Sequence, residues 1–207
     1  MLIYSHSEFC HSKGEFFMKR ILLTVTSCLL ATMTATAAEL PTTDRELAET
    51  RLLAEWVGDP EKQFILGMVY YVGEGVSQDY TEALKWFRMA ADQRLADSQH
   101  MLGVMYDLGD GVPQDYAEAT RWYRVAADQG FPPAQYDLGN QYASGEGVPQ
   151  NFSEAYVWFS LAASAGHEMA RRDRDTMAGK LSQEKIAQAQ QRAAQLFENI
   201  QQGKNGE

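Results

Sequence analysis

Three glycine pairs stand 36 residues apart, as Gly73-Glu74-Gly75, Gly109-Asp110-Gly111 and Gly145-Glu146-Gly147. Paired glycines can open a backbone cradle for phosphate, but that chemistry also needs a strand before the loop and a lysine after it. Val76, Val112 and Val148 follow instead, and the glycines read as turn residues. The acidic residue inside each pair could attract a cation or a basic partner; as a row, these residues read as solvated surface. Beyond residue 37 histidine occurs only as His100 and His167, at different positions of the unit and without cysteines, so no metal site is expected. Serines such as Ser77 and Ser144 have no nearby histidine to activate them. Asn151-Phe152-Ser153 fits a glycosylation sequon, yet it stands where a helix begins and reads as a cap. No catalytic set, cofactor site or metal site emerges, and the chain reads as a non-enzyme.

The elements that carry these residues follow from the repeat. Leu66-Gly67 recurs as Leu102-Gly103 and Leu138-Gly139, and the same offset aligns Tyr70, Tyr106 and Tyr142. It also aligns Asp79, Asp115 and Asn151, the tryptophans Trp86, Trp122 and Trp158, and three Ala-Ala pairs at 90, 126 and 162. Periodicity at this length is the mark of a stacked repeat. In the first unit Phe64, Ile65, Met68, Val69 and Val72 follow helical spacing. Gly73 suits the left-handed residue just past a helix end. Asp79 then caps a second helix, with Glu82 three residues on to close a capping box. Ala83, Trp86, Phe87 and Ala90 share one face of that helix.

Helices this short are marginal alone, so each unit must bury its open face on a neighbour. Full units are expected at 61–96, 97–132 and 133–168. Residues 38–60 form an N-terminal capping half-repeat, its helix running from a Thr43/Glu46 capping box to about Val57. Shifted by 36, this half-repeat sets Leu47, Ala54 and Gly58 opposite Ala83, Ala90 and Arg94. Residues 169–207 hold closing helices, the last capped by Ser182 and packing through Ile186, Ala193 and Phe197. Arg94 stands where Gly58, Gly130 and Gly166 stand in the other units, which forces a side chain into a left-handed turn.

Met18-Lys19-Arg20, the apolar run from Ile21 to Leu30 and Ala35-Thr36-Ala37 have the build of a secretory signal peptide cut near Ala37. Residues 1–17 read as a start-site extension. Val25-Thr26-Ser27-Cys28 offers an alternative, a lipoprotein box with the lipid on Cys28. Cleavage removes both cysteines. It leaves 15 basic against 26 acidic residues and a net charge of −11, compared with −10 for the whole chain. Such a charge repels nucleic acid and anionic headgroups. No membrane span is expected after cleavage, and the location is periplasmic or secreted.

These residues resemble the Sel1-like repeat family, relatives of the tetratricopeptide repeats. The shared pattern is Leu-Gly-x-x-Tyr-x-x-Gly-x-Gly-Val, then Asp-Tyr-x-x-Ala-x-x-Trp and Ala-Ala, over residues 63–166. The resemblance implies an all-α, right-handed α-solenoid acting as an adaptor for a protein or peptide segment. Exported bacterial members are associated with signalling control, envelope assembly and contact with host proteins. By likeness to tetratricopeptide grooves, the first helix of each unit would line the concave face. There the variable positions are Phe64, His100 and Tyr136; Met68, Val104 and Asn140; Tyr71, Asp107 and Ala143. The expected partner-binding groove is Phe64, Met68, Tyr71, His100, Val104, Asp107, Tyr136 and Asn140. Two alternatives to an envelope adaptor are a secreted factor binding host or surface proteins and a cell-wall-active enzyme.

Overall fold

Each unit of the repeat becomes a pair of helices joined by a glycine-containing loop in the computed structural model, which describes residues 44–205. Helix α1 (Asp44–Leu52) continues as a π-helical stretch, Leu53–Val57. Three pairs follow: α2 (Pro60–Val72) with α3 (Tyr80–Asp92), α4 (Ala96–Leu108) with α5 (Tyr116–Asp128), and α6 (Pro132–Ser144) with α7 (Phe152–Ser164). Helices α8 (Glu168–Ala178) and α9 (Gln183–Asn205) close the stack. No strand occurs among the described residues, and the chain is an all-α repeat fold. The signal-like segment 18–37, Cys28 and Thr43 lie outside the described residues.

The sequence pattern dictates how each pair closes. Gly67, Gly103 and Gly139 let an aromatic ring of the second helix lie directly on the first. A Cβ there would sit 2.6, 2.5 and 2.6 Å from ring carbons of Phe87, Tyr123 and Phe159. Around these contacts Leu66, Leu102, Leu138 and the paired alanines are buried, each large side chain contributing about 1.5–3 kcal/mol. Asp79, Asp115 and Asn151 each accept two backbone N–H bonds at the start of the second helix. The expected capping box does not close behind them. The backbone N–H of Asp79, Asp115 and Asn151 donates instead to the carbonyl of Tyr70, Tyr106 and Tyr142. Glu82 and Glu118 turn outward to Lys85 and Arg121.

Two glutamines per unit satisfy carbonyls that helix ends leave open. Gln78, Gln114 and Gln150 donate Nε2 to the carbonyls of Tyr71, Asp107 and Ala143 at the end of the first helix. Buried Gln63, Gln99 and Gln135 donate to Ala54, Ala91 and Ala127, at the end of the preceding unit. This second set joins one unit to the next.

The N-terminal half-repeat departs from the 36-residue register. Arg88 donates to the Tyr106 hydroxyl and Arg124 to that of Tyr142, each 18 residues on, whereas Arg51 reaches Tyr70 across 19. Likewise Gln63 bonds a carbonyl nine residues back, where Gln99 and Gln135 reach back eight. The π-helical stretch takes up the extra residue, as such bulges do. Gly58 keeps its left-handed turn opposite Arg94, while Ala54 occupies the place of Ala91 rather than Ala90.

Arg94 has φ 68°, the one positive value outside glycine among the described residues. A side chain in that conformation costs about 1–2 kcal/mol. Arg94→Gly is expected to leave the melting temperature unchanged or raise it, and a clear fall in a thermal melt would overturn the strain argument.

Candidate functional site

The first helices α2, α4 and α6 and the closing helix α8 meet side by side through a ladder of side chains. Tyr71 donates its hydroxyl to Asp110 Oδ2 at 2.8 Å, His100 Nε2 lies 2.7 Å from Asp137 Oδ2, and Tyr136 donates to Asp173 Oδ2 at 2.9 Å. Gln141 gives Nε2 to Asp107 Oδ1 at 2.7 Å. Each rung spans one repeat. The sequence pattern marked one side of most rungs and missed Asp137, Asp173 and Gln141. Their signal was an offset slightly different from the 36-residue copy.

These contacts sort the expected groove residues. Phe64, His100 and Tyr136 occupy one column: Phe64 packs inside its own unit, whereas His100 and Tyr136 also bond across to the next through Asp137 and Asp173. Phe64 packs on Phe87 with centroids 5.8 Å apart, and Tyr136 stacks on His167 at 4.4 Å. His100 is only 6% exposed, enclosed by Tyr123 and Phe131. It is a packing residue, because its ring fills the junction between two units. Tyr71 and Asp107 are half-buried and held within the ladder. Met68, Val104 and Asn140 form the next column, half-buried on three successive first helices, with Met68 and Val104 packed against the core.

Electrostatics on this face are one-sided. Helices α4 and α6 carry no lysine or arginine, whereas α3 holds Lys85 and Arg88 and α5 holds Arg121 and Arg124. Burial pushes the Asp107 carboxyl above its usual range, and the nearby charges of Asp137 and Glu146 add to the rise, against the Gln141 bond. Burial also raises Tyr71, with Asp110 beside it, and lowers His167, whose Nδ1 accepts the Ala170 N–H as a helix cap. Among the described residues no group of three or more His, Cys, Asp or Glu could hold a metal ion. No helix among them is long and apolar enough to cross a membrane.

The profile of the Sel1 repeat matches residues 61–95, 96–131 and 132–167, just over half of the chain. The chain belongs to the Sel1 repeat family. Two solved structures agree. A protective antigen of uropathogenic Escherichia coli strains, with an SLR fold, is 40% identical over 61% of this chain, with a TM-score of 0.60. This chain spans 27% of that protein's length. A Sel1 repeat protein from Oxalobacter formigenes is 39% identical, with a TM-score of 0.59, over 64% of this chain and 98% of its own. No curated protein is similar enough to count as a match. Sel1 repeat proteins are generally protein–protein interaction adaptors and are typically non-catalytic scaffolds.

Proposed function

We propose that this Sel1 repeat chain is a non-catalytic adaptor of the bacterial envelope that holds a protein segment against the concave face of its first helices. One observation carries the reading. Met68, Val104 and Asn140 make a half-buried strip across three successive first helices, held in place by the ladder beside it. A preorganised strip of this kind suits an extended segment or a helix, since little ordering is needed on binding. Export to the periplasm or beyond is supported by the basic, apolar and small-residue pattern of residues 18–37. The similarity to an antigen favours a second reading, a secreted factor that meets host or surface proteins.

Crosslinking capture from the native envelope tests the face. Val104→Arg with Asn140→Arg adds bulk on the strip, while the arginine stems can still lie along apolar neighbours. One envelope protein captured by the wild type and lost with the double variant, at an unchanged melting temperature, is the expected result. Equal capture by both forms would remove the face assignment, and capture only from culture supernatant would favour the secreted factor. Tyr71→Ala is a poorer probe, because that ring packs against Tyr80 and Phe87.

A further inference from the structure

Two groups of carboxylates in the repeats have contrasting partners. On the second helices they meet cations: Glu82 pairs with Lys85, Glu118 with Arg121 and Glu154 with Arg192. On the first-helix face their partners are a phenol, an imidazole and an amide: Tyr71 for Asp110, His100 for Asp137 and Gln141 for Asp107. Phenol and amide partners orient a carboxylate and leave most of its charge in place. The two helices between which the charges gather, α4 and α6, supply no cation of their own. Helix α8, by contrast, carries Arg171, Arg172 and Arg174.

A second observation is independent of the charge. Gln141 is 5% exposed and spends its amide N–H on Asp107, which leaves Oε1 buried with no hydrogen-bond partner. The amide cannot be turned to mend this, because its oxygen would then face the carboxylate. What is missing at this point is a donor. A guanidinium offers five N–H donors in a rigid plane and no acceptor, and pairs carboxylates two bonds at a time.

We infer that the first-helix face between α4 and α6 receives a basic protein segment, with an arginine side chain set against Asp107, Asp137 and the Gln141 amide. This rests on the adaptor reading and adds the chemistry of the partner. Complementary charge of this kind selects partners and speeds their encounter.

The test uses the protein purified from cells expressing the full chain. The probe is a short fluorescent peptide alternating arginine and serine, with a glutamate-for-arginine peptide as control, at physiological salt. Asp107→Asn with Asp137→Asn keeps an oxygen acceptor for Gln141 and His100 while removing both charges. It is expected to weaken binding of the arginine peptide by about tenfold or more. Glu82→Gln with Glu118→Gln makes the same change in net charge on the second helices and is expected to leave binding within about twofold. Peptide-induced NMR shifts on the wild-type protein should centre on Asp107, Asn140 and Gln141, which keeps the test valid if a variant misfolds. Equal weakening by both variants, shifts centred elsewhere, or no preference over the glutamate peptide overturns the inference. An envelope partner lost with Val104→Arg/Asn140→Arg but kept with Asp107→Asn/Asp137→Asn would leave the adaptor reading standing and remove the basic-segment one.

Discussion

Gly147→Ala is expected to lower the melting temperature by about 10 °C, whereas Gly75→Ala lowers it by only a few degrees. Both glycines occupy the same place in their repeats and have nearly the same left-handed backbone, φ 69° and 72°. The cost of a methyl group in that conformation, about 1–2 kcal/mol, is therefore common to the two. Their surroundings differ. A Cβ on Gly147 would stand 2.0 Å from the carbonyl oxygen of Tyr116 and 2.4 Å from its carbon, both backbone atoms at the start of α5. A Cβ on Gly75 would meet nothing within 4 Å. Backbone cannot swing aside as a side chain can, so the loop must lift from the preceding unit, at a further cost of about 1–3 kcal/mol for overpacking. At roughly 2–4 °C per kcal/mol for a chain of this size, the two contributions reach the larger figure only at Gly147. Gly111→Ala, facing the Tyr80 backbone at 2.9 Å, should fall between. Calorimetric melts of the three variants check the ranking, and equal shifts at 147 and 75 would show that the loops do not bear on the preceding helix.

That contact illustrates which features the sequence made legible. A 36-residue copy written three times announces the helix pairs and the side chains that cap them, because each depends on residues close in the chain; the ring of Phe87, Tyr123 or Phe159 lying on a first-helix glycine shows only in space. The last closing helix and its Ser182 cap were also visible, and Ser182 Oγ accepts the Lys185 N–H at 3.3 Å. What pairwise copying hides is anything that depends on a neighbour being different. The extra residue in the π-helical stretch shows no composition of its own, and only hydrogen bonds counted in space reveal it. His100 looked like a surface residue because its counterparts vary; it is enclosed because Phe131, the residue just before α6, arrives beside it. Gln63, Gln99 and Gln135 recur in register and could have been recognised as donors to the preceding unit. One acidic column, Glu74, Asp110 and Glu146, was legible and read as solvated surface, but Asp107 and Asp137 stand at other positions of the unit, so the charge gathered between α4 and α6 was not. Phe197, expected to pack, is exposed, because α9 turns Ile186, Ala189, Ala193 and Ile200 toward the stack instead.

The docking of α9 follows from a change of residue type on α7 that the repeat makes conspicuous in retrospect. Lys85 and Arg121 are exposed on α3 and α5, yet the equivalent Val157 on α7 is 0% exposed. In the same way Met89 and Val125 are 43% and 44% exposed, while Leu161 is 4% exposed. The element present beside α7 and absent beside α3 and α5 is α9, which also bonds Tyr156 through Gln190 and pairs Arg192 with Glu154. Val157→Lys restores the residue type of the first repeat and is expected to release α9. Burying an unpaired ammonium costs several kcal/mol, whereas lifting the helix exposes mainly small residues and the partly buried Ile186, Leu196 and Ile200. The smaller loss should win, since the neighbouring repeats prove that a cation at this position is compatible with the helix pair beneath it. Hydrogen exchange should then lose protection across residues 183–205 while α2 to α6 stay protected, because a freed helix is marginal in water. Val157→Ile should leave both regions protected. Retained protection of α9 in Val157→Lys would mean that other contacts hold the helix and that the switch from lysine and arginine to valine is not what creates its seat.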